Sequence, residues 1–240
     1  RNFCDPAGRD AGMKTTGGTD DQKRRAGERA AEEVTDGDVV GLGTGSTAAH
    51  AIRAIGEAVE SGLDVRGVPT SFDARRLARE AGIPVRSLDE PGGIDLAIDG
   101  ADRIDRGRTA IKGGGGAHAR EKVVDAAADR FVAVVDPSKV VATLSQPVPV
   151  EVLPDAYAAV ERSVAELGGE PTLRRATAKN GPVVTDNGNL LLDCAFGPID
   201  DPAGLARALS AVPGAVEHGL FVDLVDAAYV GTDDGVDRIE

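Results

Sequence analysis

The stretch Asp38–Val59, DVVGLGTGSTAAHAIRAIGEAV, decides how the rest of the chain is read. Asp38–Gly43 is a short apolar run, the mark of a buried strand. Ser46–Val59 reads as a helix with a Ser/Thr start signal. Glycines between the two let the backbone turn sharply, and free N–H groups at a helix start form an anion site. Three readings fit the turn: a capped strand–helix corner, a phosphate cradle, or a dinucleotide fingerprint. The fingerprint also needs a carboxylate about 20 residues on, at the end of the next strand. That strand ends at Pro69-Thr70-Ser71, without one, so the nicotinamide reading is the weaker.

Working outward, the same strand–helix rhythm continues. Ala26, Ala30 and Val34 lie four apart on an earlier helix. Strands are expected over Asp64–Thr70, Ile83–Leu88, Ile94–Asp99 and Phe131–Asp136. Helices are expected over Ser71–Gly82 and about Ala117–Ala128. Past Ser145 the rhythm changes to strand (Val148–Pro154), helix (Asp155–Leu167) and two strands flanking Asn187-Gly188. A helix (Asp201–Val212) and late strands (Gly219–Gly231) follow. Asn-Gly between apolar runs is a hairpin signal. The expected fold is α/β: an open, mainly parallel sheet with helices on both faces, plus a smaller ferredoxin-like α+β domain. Residues 19–144 with about 222–240 form the expected catalytic domain, and 145–221 the smaller one. Residues 1–18, which include the only methionine, Met13, are expected to be a disordered extension.

The net charge of −13 argues against a nucleic-acid or anionic-membrane partner. There is no apolar run of membrane-spanning length and no signal-peptide core. Two cysteines are too few for a disulfide framework, and the three histidines lack zinc-ligand spacing. A cytoplasmic protein without a metal is expected. Arginines number 21 against 6 lysines. This acidic, lysine-poor composition suggests a halophilic protein, since high ionic strength screens self-repulsion.

Three of the six lysines, Lys23, Lys112 and Lys139, lie near candidate ligand elements. Asp99 and Asp102 follow a strand, where ligands of open α/β sheets bind; taken alone, DGAD reads first as a self-capped turn. Lys112 precedes four glycines, Gly113–Gly116. Such a run is costly in entropy. It makes either a flexible loop or a backbone that approaches a ligand closely. Glu121, early in the next helix, complements the helix dipole or acts as a general base.

The blocks VGLGTGSTAAHAI, AIDGADRID, KGGGGAHAREKVV, VDPSKVV, PVPVEVLP and TDNGNLLLD, in this order, resemble ribose-5-phosphate isomerase of the A type. The resemblance runs from about Asp20 to the C-terminus. It implies interconversion of D-ribose 5-phosphate and D-ribulose 5-phosphate in the non-oxidative pentose phosphate pathway, without metal or organic cofactor. It assigns Thr44, Gly45, Ser46 and Thr47 to the phosphate. It assigns Asp99, Gly100, Ala101, Asp102, Lys112, Gly113, Gly114 and Gly115 to the sugar. Glu121 matches the base, Lys139 a substrate-contacting lysine and Lys23 a phosphate-side lysine. Asp99 is the candidate for ring opening, and Asp102 for orienting Lys112 or a hydroxyl. Lys112 and the amides of Gly113–Gly115 are the expected oxyanion donors. A homodimer or homotetramer is implied. Arg103 and His118 depart from the family pattern. A non-catalytic sugar-phosphate sensor and a dinucleotide-dependent oxidoreductase are the competing readings.

Overall fold

The computed structural model describes residues 17–90 and 92–240. The expected extension lies outside them, apart from Gly17 and Gly18. Helix α1 (Asp20–Ala31) starts at a capping box, in which Thr19 and Gln22 satisfy each other's backbone amides. Then come β1 (Val39–Leu42), α2 (Ser46–Glu60), β2 (Arg66–Pro69), α3 (Phe72–Glu80) and β3 (Leu96–Gly100). Short strands β4 (Arg103–Asp105) and β5 (Ala110–Ile111) precede α4 (His118–Ala127), β6 (Phe131–Val135) and β7 (Val140–Val141). The next run is β8 (Val148–Val152), α5 (Tyr157–Glu166), β9 (Glu170–Leu173), β10 (Leu190–Ala195), α6 (Pro202–Ser210) and β11 (Ala215–His218). The chain closes with β12 (Leu220–Phe221), β13 (Ala227–Gly231) and β14 (Val236–Ile239). No helix among the described residues is long and apolar enough to cross a membrane.

The main sheet has the order β14-β13-β6-β3-β1-β2, parallel except for β14. Its central strands are apolar on both faces, as strands covered on two sides must be. Val40, Leu42, Ile98, Val134 and Tyr229 pack with α1, α2 and α3. Their alternates Ala97, Phe131, Ala133 and Val230 face the other way. There α4 covers the β1–β2 end, with Val124 packed on Val68.

The rest of that second face is covered by a small sheet, β12-β5-β4-β7, that the sequence reading did not contain. Two-residue strands carry no period to read. They nevertheless bind the molecule together: Ala110 and Phe221 face the main sheet, while Ile111 and Leu220 enter the core of the third sheet. That third sheet, β11-β8-β10-β9, is wholly antiparallel, with the ferredoxin-like strand order.

Two local expectations are corrected. Ile83–Leu88 forms no strand, only a single bridge from Val85 to Gly67. The segment before Asn187-Gly188 does not pair with β10 either; β10 lies between β8 and β9. The cause is the buried carboxylate of Glu151 on β8. It accepts from Thr185 Oγ1 (3.0 Å), Asn187 Nδ2 (3.0 Å) and Asn189 Nδ2 (2.8 Å), which curls residues 185–189 into a stapled turn. Glu151→Ala leaves these donors unpaired, and a loss of about 2–3 kcal/mol in urea unfolding is expected; unchanged stability would show that the staple is idle.

Candidate active site

Asp99 lies at the carboxyl end of β3, fully buried. Its Oδ1 accepts from the amides of Thr44 (2.9 Å) and Gly100 (2.6 Å), which ties the β1–α2 turn to β3. A methyl group at Gly43 would lie 2.2 Å from Asp99 Oδ1 and 2.5 Å from its Cα. Gly43→Ala is therefore expected to displace the Asp99 carboxylate and abolish activity; retained turnover in a steady-state assay would refute the crowding.

Lys112, on the chain leaving β5, points its ammonium at this carboxylate. Nζ is 2.9 Å from Asp99 Oδ2 and donates to Gly100 O at 2.5 Å. It is 3.5 Å from Glu121 Oε2 and 3.8 Å from Asp125 Oδ2. The rings of Phe221 and Phe131 close the other side, their centroids 5.3 and 5.9 Å from Nζ. Glu121 and Asp125 stand one turn apart on α4, so both face the same ammonium.

Three buried carboxyls around one cation make an unusual electrostatic site. Burial raises Glu121 to about 8, against the pull of Lys112 and with the help of Asp99 and Asp102. Burial and Asp99 raise Asp125 well above the usual carboxylate range. Burial works against the Lys112 charge, but Asp99, Glu121 and Asp125 together outweigh it and raise its pKa. Asp102, half-buried, is raised by burial and opposed by the Gly114 amide.

The glycine run wraps over this cluster. Gly113 has φ +105°, and His118 Nδ1 lies 2.7 Å from where its Cβ would be. His118 itself is fully buried; burial lowers its pKa to about 3, so the ring is neutral. The Gly114 amide donates to Asp102 Oδ2 at 2.6 Å. It is thus already engaged, which removes it from the expected oxyanion donors. Asp102 orients this loop, whereas Lys112 is paired with Asp99.

On the anion side, Gly45 (φ +108°) opens α2 with no side-chain cap. The first amides of a 15-residue helix therefore face outward beside exposed Ser46 and largely buried Thr47. Thr44 Oγ1 lies 2.9 Å from Thr70 Oγ1 and donates to Ser71 Oγ at 2.7 Å. Lys139 sits in a 3-10 turn after β6, within electrostatic range of Asp102, Arg103 and Lys23. The structure thus links Thr44, Asp99, Asp102, Lys112, the glycines and Glu121 directly. Lys139 and Lys23 lie within electrostatic range of each other, and Lys139 also of Asp102.

Sequence reasoning missed Asp125, Thr70, Ser71 and Arg174. Asp125 had a signal, its four-residue spacing from Glu121. Arg174 had none: it follows β9 and reaches the glycine loop only through the fold.

A family model for ribose 5-phosphate isomerase A (phosphoriboisomerase A) matches residues 66–235. The chain belongs to this family. Ribose-5-phosphate isomerase A of Natronomonas pharaonis is 66% identical over 225 residues, which are 94% of this chain and 99% of that one. The Haloarcula marismortui protein of the same name is 66% identical over 220 residues, 92% of this chain and 96% of its own. These relatives come from haloarchaea, in keeping with the acidic, halophilic composition. The ribose 5-phosphate isomerase A structure from Methanocaldococcus jannaschii superposes with a TM-score of 0.89 at 46% identity, covering 93% of this chain and all of that one (100%). A D-ribose-5-phosphate isomerase structure in complex with phospho-erythronic acid superposes at 0.90 with 41% identity, over 93% of this chain and 100% of that chain.

Proposed function

We propose that this chain interconverts D-ribose 5-phosphate and D-ribulose 5-phosphate through an enediolate, with Glu121 as the base. The observation that carries the reading is the 3.5 Å approach of Lys112 Nζ to Glu121 Oε2 inside one buried cluster. Glu121 removes the C2 proton of the open-chain aldose, and the electron pair moves onto the carbonyl oxygen at C1. The O2 hydroxyl proton passes to O1. Reprotonation at C1 by the Glu121 carboxyl then leaves the carbonyl at C2. Lys112 and the Gly115 amide stabilise the oxyanion. Asp99, buried and already engaged by Thr44, Gly100 and Lys112, anchors the lysine. Ring opening falls to the half-buried Asp102. The phosphate sits on the α2 start beside Ser46 and Thr47, with Lys23 and Lys139 offsetting the protein's negative field.

The cytoplasm is the assigned location, and residues 19–144 with 222–240 are the assigned catalytic domain. The β11 edge of the third sheet is covered by His118 and Lys122 of α4, so the edge strand β9 is the assigned surface for a homodimer or homotetramer. Light scattering on the purified chain tests the last; a monomer refutes it. The activity is tested by following ribulose 5-phosphate formation from ribose 5-phosphate in molar KCl. Absence of turnover refutes the isomerase and favours a sensor.

The pH dependence follows from the base. Only ionised Glu121 accepts the proton, and burial sets its pKa at about 8. In kcat/KM, activity is expected to fall as pH drops below about 8, along a limb belonging to the Glu121–Asp125 pair. A flat profile from pH 6 to pH 9 would contradict the assignment.

A further inference from the structure

We propose that Arg174 is a positioning residue for the isomerisation: it grips the glycine loop from behind and turns the Gly115 amide toward the substrate. This inference rests on the isomerase reading and extends it to the third sheet's unit, which contributes no residue to the carboxylate cluster.

The guanidinium of Arg174 is buried, 8% exposed. One edge is locked onto Asp193 of β10: Nε donates to Oδ2 at 2.9 Å and Nη2 donates to Oδ1. A planar guanidinium held at one edge has a fixed direction at the other. There Nη1 donates to Gly113 O at 2.9 Å and Gly114 O at 3.2 Å.

Those two carbonyls determine where two amides point. In a planar trans peptide the C=O and the following N–H are antiparallel. The Gly113 carbonyl faces Arg174, so the Gly114 amide faces the opposite side. It does, donating to Asp102 Oδ2 at 2.6 Å. The Gly114 carbonyl also faces Arg174, so the Gly115 amide emerges on the Asp102 side. Among the described residues this amide has no hydrogen-bond partner. A polyglycine loop has no side chains to resist rotation of its peptide planes. The positive charge at the carbonyls also polarises both peptide units and strengthens their N–H groups as donors.

The test uses the full chain and the variants Arg174→Met and Arg174→Lys, in molar KCl. It measures kcat, KM for ribose 5-phosphate and inhibition by phospho-erythronic acid. The carboxylate of this acid offers two coplanar oxygens, as an enediolate does. Arg174→Met is expected to lose about 100-fold in kcat with KM nearly unchanged, the size of effect of one lost oxyanion donor. Inhibitor affinity is expected to fall by much more than KM changes. Lysine keeps the charge but lacks the planar fork that grips Asp193 at two points and fixes the direction of the other donor, so Arg174→Lys should recover only part of kcat. Unchanged kcat overturns the proposal. So does a rise in KM matched by an equal loss of inhibitor affinity, because a merely structural role moves both alike. If Arg174→Met does not fold, Arg174→Lys is judged by the same two criteria. A wild-type chain that fails to turn over ribose 5-phosphate sinks the isomerase reading, and this inference with it. A wild type that turns over beside a fully active Arg174→Met sinks the inference alone.

Discussion

Glu121→Gln is expected to lower kcat by about 10²–10⁴-fold while ribose 5-phosphate still binds. Glutamine has the same shape as glutamate but no basic oxygen. It also replaces one of the three buried carboxyls that share Lys112 with a neutral amide. The variant should therefore be no less stable than the parent, and the loss should lie in the chemical step. Two measurements check this: steady-state kinetics, and exchange of the substrate's C2 proton with solvent deuterium. Both should be suppressed together. Near-normal turnover would remove Glu121 as the base, and exchange without turnover would move the defect to a later step.

Lys112→Met is expected to damage both stability and rate. Among the described residues, Lys112 is the cation within 4 Å of Asp99, Glu121 and Asp125. Its removal leaves three buried carboxyls facing one another. Breaking a buried pair in this way costs about 3–5 kcal/mol. Protonation of the carboxyls softens the loss, so it should be smaller in acid than at pH 8. Glu121, deprived of the charge that holds its pKa down, should titrate higher still and move the acid limb of kcat/KM to higher pH. Urea unfolding at pH 6 and pH 8 reads the first effect and a pH–rate profile the second. Equal stability of parent and variant at both pH values would mean that Lys112 compensates nothing. The double variant Lys112→Met, Glu121→Gln should regain part of the stability and none of the activity.

What the sequence disclosed was local. The strand–turn–helix around Gly43 and Gly45 follows from apolar runs and glycine, and the structure has β1 and α2 there. Asp99 and Lys112 could be suspected because each ends a short apolar element. The role of Glu121 came from the family resemblance, since a carboxylate in the first turn of a helix is also explained by the dipole. What stayed hidden was assembled across distance. Arg174 meets carbonyls about sixty residues earlier in the chain, and nothing near Arg174 marks it. The small sheet was invisible because β5, β7 and β12 have two residues each. The turn over residues 185–189 looked like a hairpin because Asn-Gly usually makes one. A buried glutamate on another strand overruled that preference. Asp102 was the candidate for orienting Lys112 or a hydroxyl, whereas the fold pairs the lysine with Asp99 and the glycine loop with Asp102.

The late return of β13 to the main sheet has a consequence for biosynthesis. Val132 of β6 must wait for Ala227 before its outer neighbour exists. A nascent chain that has just cleared Lys139 already carries Glu121, Lys112 and both aspartates. It lacks Arg174 and the Phe221 ring beside Lys112. Long-range parallel pairing is slow to form, because its loop must close before any contact repays it. A ribosome-bound intermediate would therefore hold the three carboxyls in a half-built, wet cavity. Catalytic competence should appear only once Phe221 and β13 have left the exit tunnel.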